Sequence, residues 1–192
     1  MKIQNKRLSQ KFFSKPSDVV ARNLLGKVLC RRLSDGKVLR GRILETEAYF
    51  DENDPASRAS KSGKKINKVH EMMLKEPGRI LIYNVHKYFM LNFVTGKKNK
   101  ASAVLIRSLE PLNFFGRCSG PGLMTECLKI NKKFKEEFHG INCFSDKSNL
   151  WVEDSLEKIP KTKINRSFRI GVTEDLNEKH RYFINNSFIN NK

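Results

Sequence analysis

Two carboxylates and a phenol stand at alternate positions in GRILETEAYF, residues 41–50: Glu45, Glu47 and Tyr49. The run that leads into them, Val38 to Leu44, mixes apolar and basic side chains as a strand does. Side chains of an extended chain alternate between faces, so Glu45, Glu47 and Tyr49 share one face and Leu44, Thr46 and Ala48 the other. A partly desolvated carboxylate beside a water is a general base. An aromatic ring next to it stacks a planar substrate. The same pattern also fits two exposed acids at a solvated strand end.

Other positions carry weaker signals. Arg107, in VLIRSLEP, is a cation in an otherwise apolar strand, either paired with a buried acid or touching a ligand. Asn92 lies among Phe89, Met90, Leu91 and Phe93, where an amide needs partners, in a pocket or in the fold. SGPGL, residues 119–123, is a plain turn or a turn into a helix whose first amides meet a phosphate. His70, His86, His139 and His180 lack ligand spacing, and no G-x-S-x-G is present. Cys30, Cys118, Cys127 and Cys143 form no C-x-x-C pair. They indicate neither a zinc site nor a disulfide framework, and point to a reducing interior.

The chain of 192 residues has 38 Lys and Arg against 20 Asp and Glu, a formal charge of +18. Such a field favours polyanions, DNA or RNA or an anionic membrane surface, unless lysine is simply abundant in the source proteome. No apolar run approaches the ~20 residues of a membrane span. The basic start, MKIQNKRLSQKFFSKP, has no apolar core of a secretory signal, so a cytoplasmic protein is expected, nucleoid-associated in a prokaryote.

The elements that must position these residues can be read next. Ser17 or Asp18 caps a helix over VVARNLLGK that stops at Gly26. Lys27–Leu33 and Val38–Tyr49 are strands joined through Asp35-Gly36. Asp51–Lys68 is a polar loop with a turn at Asp54-Pro55, and His70–Lys75 a short helix. Arg79–Val85 and Tyr88–Thr95 form a tight hairpin around His86-Lys87, and Ala101–Leu109 follows as a strand. LMTECLKI is helical, and Lys132–His139 is basic without a clear preference. Leu150–Val152, Phe168–Val172 and Arg181–Ile189 are the last strands. With no repeat and no linker, the expected fold is α+β: one domain over residues 1–192, built on an antiparallel sheet with flanking helices.

At ETEAY a resemblance becomes specific. Together with LSQKFF, VARNLLGK, DPAS, EPGRILIY, LIRSLEP, SGPGLMTECLKINKKF, LWVED, RIGV and RYFINNSFI, it makes the chain resemble the alkyladenine (3-methyladenine) DNA glycosylases nearly end to end. These monofunctional enzymes excise alkylated and deaminated purines. The resemblance implies a curved antiparallel sheet, a hairpin that enters the DNA minor groove, and a monomer acting on double-stranded DNA with damaged purines, without cofactor or metal. It makes Glu47 the general base, Tyr49 and Tyr83 the stacking rings, and Asn92 the amide that screens purines. Arg107 stands near the catalytic water and the DNA backbone, and Ile170 helps to position that water. Glu45 has a supporting role.

Two positions depart from the family pattern. Arg58 stands where members often carry a histidine that donates to the bound base. An arginine has only donors, so it bonds a purine acceptor or pairs with Glu45, or else it reshapes selectivity or prevents the usual stacking. His86 stands where the hairpin tip usually offers a tyrosine wedge. Lys87 flanks it, and Tyr88 takes over if the register shifts. Lys97, Lys98 and Lys100, with Lys61, Lys64 and Lys65, are candidate phosphate contacts. No lysine stands out as a Schiff-base nucleophile, so hydrolysis without strand cleavage is expected. The rivals are a sugar hydrolase using the acid pair and a DNA- or RNA-binding module that keeps the fold without the chemistry.

Overall fold

The computed structural model describes residues 6–61, 67–155 and 159–184. The short helix α1 (Gln10–Phe13) and α2 (Ser17–Leu24) lead into β1 (Val28–Arg32) and β2 (Val38–Tyr49), followed by α3 (Lys68–Met73). β3 (Ile80–Val85), β4 (Tyr88–Val94) and β5 (Ala103–Pro111) come next, then α4 (Pro121–Cys127) and α5 (Lys132–Phe138). β6 (Leu150–Glu153), β7 (Asn165–Ser167) and β8 (Arg181–Phe183) complete the order.

All strand pairs are antiparallel. The order is β3-β4-β5-β2-β1-β6, and β8 pairs with both β2 and β7. β2 is the spine of this curved sheet. β5 runs along one side of it, while β1 takes Val38–Arg42 and β8 takes Glu45–Glu47 on the other. The α+β expectation is thus met.

One face of the sheet carries the main core. Ile80, Ile82, Leu91, Phe93, Val104, Ile106 and Ala48 bury there with Val20, Ala21 and Leu24 of α2. Thr46, also turned to this side, donates through Oγ1 to the Ala21 carbonyl at 2.9 Å. Pairing of β2 with β5 is irregular between Ile43 and Thr46, which lets the consecutive residues Ile43 and Leu44 both enter the core. The opposite face has a smaller cluster, Leu81, Val94 and Ala103 under Ala59 and Met73. Beside it lies the row Glu47–Leu105–Asn92–Leu81, paired across four strands.

Several local expectations are corrected. The cap position of α2 is Pro16, with no side-chain cap, and Ser17 lies inside the helix. Its hydroxyl is buried, 2.9 Å from the Ala103 carbonyl, 3.0 Å from the Tyr49 carbonyl and 3.0 Å from Thr95 Oγ1. It therefore ties α2 to the ends of the two strands that carry the site. Ser17→Ala leaves those groups short of a partner, and should lower stability by about 1–2 kcal/mol in a urea titration. Lys132–Phe138, for which the sequence gives no clear preference, is a helix. Asn131 accepts from Phe134 N at its start, and Phe134 and Phe138, one turn apart, stack at 4.7 Å. Residues 168–172 are not a strand. The last strand keeps its start at Arg181, and its continuation from 185 lies outside the described residues.

Candidate active site

Above the Glu47 face opens a cleft of about 780 Å³, lined among others by Tyr49, Arg58, Tyr83, Met90, Arg107 and Ile170. At its base Glu47 is fully buried. Such a carboxylate persists only with hydrogen-bonded partners. Oε2 accepts from the Tyr49 hydroxyl at 2.7 Å and from Arg107 Nη1 at 3.1 Å, and Oε1 accepts from the Ile170 backbone N–H at 2.9 Å. A carboxylate has about four lone-pair sites, so these three donors leave room for one more.

Glu45 lies one pleat away and completes the charge balance. Its Oε1 accepts from Arg107 Nε at 2.8 Å and from Arg181 Nε at 2.7 Å. Two acids thus face two guanidinium groups. Burial works against the charged form of Arg107, but Glu47 and Glu45 outweigh it and push its pKa upward. Burial and the neighbouring Glu47 push the Tyr49 phenol up, and burial raises Tyr83, so both rings enter the cleft as neutral phenols. Of the two alternatives for Arg107, the pair is present: it bridges the buried Glu47 and the half-buried Glu45, and it also lines the cleft.

A second buried group lies behind Tyr49. Arg169 forks onto Asp54 with two bonds of 2.7 Å, donates to Asp175 at 2.8 Å through Nε, and reaches the Ala48 carbonyl at 3.0 Å. Its guanidinium sits 4.8 Å from the centre of the Tyr49 ring. Asp54 also accepts from Phe50 N and Ala56 N. One arginine therefore joins the end of β2, the loop after it and the segment that presents Ile170. This explains the lost strand: in 168–172 Arg169 is the buried residue, and Phe168 and Ile170 are each 50% exposed. Arg169, Asp54, Asp175 and Arg181 were not singled out from sequence. Opposite charges in turn-rich segments were the available signal, and spacing alone does not pair them.

Six of the sequence candidates, Glu47, Tyr49, Arg58, Tyr83, Arg107 and Ile170, converge on this cleft or its base. Arg58 lies at its mouth, 5.1 Å from the centre of the Tyr83 ring. It does not pair with Glu45, whose Oε1 is occupied by Arg107 and Arg181. Asn92 is buried in the sheet beneath, its amide nitrogen 3.2 Å from the Met90 carbonyl and 3.4 Å from that of Leu81. The hairpin register pairs Val85 with Tyr88, leaving the exposed His86 and Lys87 as the whole turn, with His86 at φ +51°. Tyr88 is not at the tip. Its ring lies against Gly122 of α4, where a Cβ would come within 2.6 Å of it. Of the candidate phosphate contacts, Lys98 and Lys100 face Glu76 and Asp51, and Lys61 is 4.0 Å from Glu52. Lys64 and Lys65 lie outside the described residues.

The family model for methylpurine-DNA glycosylase matches residues 11–188. A relative from Aeropyrum pernix, provisionally named 3-methyladenine DNA glycosylase, is 36% identical over 180 residues, 92% of this chain and 89% of that protein. One of the same provisional name from Chlorobium phaeobacteroides (strain DSM 266) is 33% identical over 189 residues, 93% of each chain. DNA-3-methyladenine glycosylase of Mus musculus is 33% identical over 190 residues, which cover 86% of this chain and 54% of the mouse protein. Fold, cleft and these matches together place the chain in the methylpurine-DNA glycosylase family.

Proposed function

We propose that the protein is a monofunctional DNA glycosylase of base excision repair. It extrudes a damaged purine of the 3-methyladenine, 7-methylguanine, hypoxanthine or ethenoadenine class from duplex DNA and hydrolyses its N-glycosidic bond, leaving an abasic site. The observation that carries this reading is the fully buried Glu47 at the base of an aromatic-walled cleft, held by Tyr49, Arg107 and the Ile170 amide.

The chemistry follows from that setting. A base in a duplex is out of reach of a side chain until it is flipped. His86 and Lys87, alone at the exposed end of the hairpin, fill the gap left by the extruded nucleotide and meet its phosphates, and Tyr88 braces the hairpin against α4. The purine lies against Tyr49 and Tyr83, and Asn92 beneath the cleft screens its edge. Departure of the base builds oxocarbenium character on the sugar, as in glycoside hydrolysis. Glu47 stabilises that charge and takes a proton from the attacking water at its remaining lone-pair site, with Ile170 fixing the water's position. Arg107 holds the Glu47 carboxylate in place and turns toward the DNA backbone.

Incubation with duplexes carrying hypoxanthine or 7-methylguanine tests the reading. Free base should appear together with an abasic strand that stays intact until alkali is added. Binding of those duplexes without release of either base would instead favour a binding module that keeps the fold and lacks the chemistry.

A further inference from the structure

The cleft holds one cation whose role the proposed mechanism leaves open. Arg58 is exposed at the mouth, and its guanidinium lies 5.1 Å over the Tyr83 ring. Arg107 is matched by Glu45 and Glu47, and Arg169 by Asp54 and Asp175. Arg58 has no carboxylate within ion-pair distance among the described residues. Both tyrosines proposed to hold the base thus already have a guanidinium on the ring, and the one over Tyr83 is in no ion pair among the described residues, although Glu174 also lines the cleft.

Purine lesions fall into two electrostatic classes. Methylation at N3 or N7 of a purine nucleotide gives a base with a formal positive charge. Deamination or etheno-bridge formation gives a neutral base rich in ring and carbonyl acceptors. An aromatic face attracts a cation through its quadrupole, but a cation already seated on that face repels a second one. If Arg58 stays when the base enters, it repels a cationic purine; if it swings away, its own cation–π contact is lost. A neutral purine meets no such repulsion, and its acceptors can take the five N–H donors of the guanidinium.

On the proposed glycosylase reading, we infer that Arg58 is a specificity-determining residue that shifts selectivity from cationic alkylpurines toward neutral, acceptor-rich purine lesions such as hypoxanthine. The deciding quantity is the ratio of single-turnover release rates for 7-methylguanine and hypoxanthine in one duplex context. Arg58→Gln, similar in reach and uncharged, should raise that ratio about tenfold. Arg58→Lys keeps the charge and should hold it within about threefold of wild type. Thermal melts coincident with that of the wild type show that each variant is folded. A ratio unmoved by Arg58→Gln overturns the inference while the glycosylase reading stands, and an equal rise in both variants shows that shape, not charge, is at work. Release of neither base by the wild type removes the glycosylase reading and this inference with it.

Discussion

Glu47→Gln should lower single-turnover base release by at least ~100-fold while leaving affinity for lesion-bearing duplex nearly unchanged. The substitution keeps size and shape and removes the base. A glutamine carries one acceptor oxygen and one NH₂ group, but both Glu47 oxygens now accept hydrogen bonds. The NH₂ must therefore face a donor. Toward Oε1 that donor is the rigid Ile170 amide, and toward Oε2 it is the Tyr49 hydroxyl, which can rotate, together with Arg107. Arg107 keeps Glu45 as counter-ion, so the fold should survive. Release within tenfold of wild type would mean that Glu47 is not the base. Loss of DNA binding alongside release would mean that its role is to hold the cleft together.

The largest expected effect on stability is that of Arg169→Ala. The side chain is fully buried, and Asp54 beneath it is 1% exposed. Removing one partner of a buried pair strands the other, at a cost of about 3–5 kcal/mol. For a chain of this size that lowers Tm by roughly 10 °C. Arg169→Lys should recover little, because a point charge cannot fork onto two carboxylates. Acid should act through the same group. Burial works to raise the Asp175 pKa, but hydrogen bonds from Arg169 outweigh it and hold it below the ordinary value of 3.8. A depressed carboxylate contributes stability that is present above its unfolded pKa and is lost as pH falls through the folded one. The wild type should therefore lose part of its advantage over Arg169→Ala as pH drops below about 4. Thermal melts of both proteins across that range check this, and parallel curves would assign Asp175 no part in it.

Strands with one dry face were legible in the sequence. The bounds of β2, Val38–Tyr49, and the two-residue turn between β3 and β4 follow from alternation and length alone. So does the shared face of Glu45, Glu47 and Tyr49, since a strand fixes it without reference to any partner. What was not legible is pairing across the chain. Arg169 and Asp54 are 115 residues apart, and Arg181 and Glu45 are 136 apart. Local composition is silent on contacts of that span. Phe168–Val172 misleads for the converse reason: it has a strand's alternation, but its charged residue points inward to waiting carboxylates. Asn165–Ser167 is a strand without an apolar face to announce it, because only its hydrogen bonds to β8 define it.

The alternation in β2 has a consequence for how the chain finds its fold. Past Glu45 the strand presents Thr46 and Ala48 to the main core and Glu47 and Tyr49 to the cleft. Backbone hydrogen bonds barely distinguish this alignment from one slipped by a single residue, which would turn every side chain over. The acids distinguish it sharply. In the slipped alignment two carboxylates enter the apolar layer beneath α2 with no arginine to meet them, and an unpaired charge there is prohibitive. Glu45 and Glu47 thus act as a proofreading device during assembly, rejecting the neighbouring registers of the strand on which they sit. A variant that replaces both with apolar residues gives up this rejection, and the harm would show as misassembled chains on refolding even where the finished fold tolerates the change.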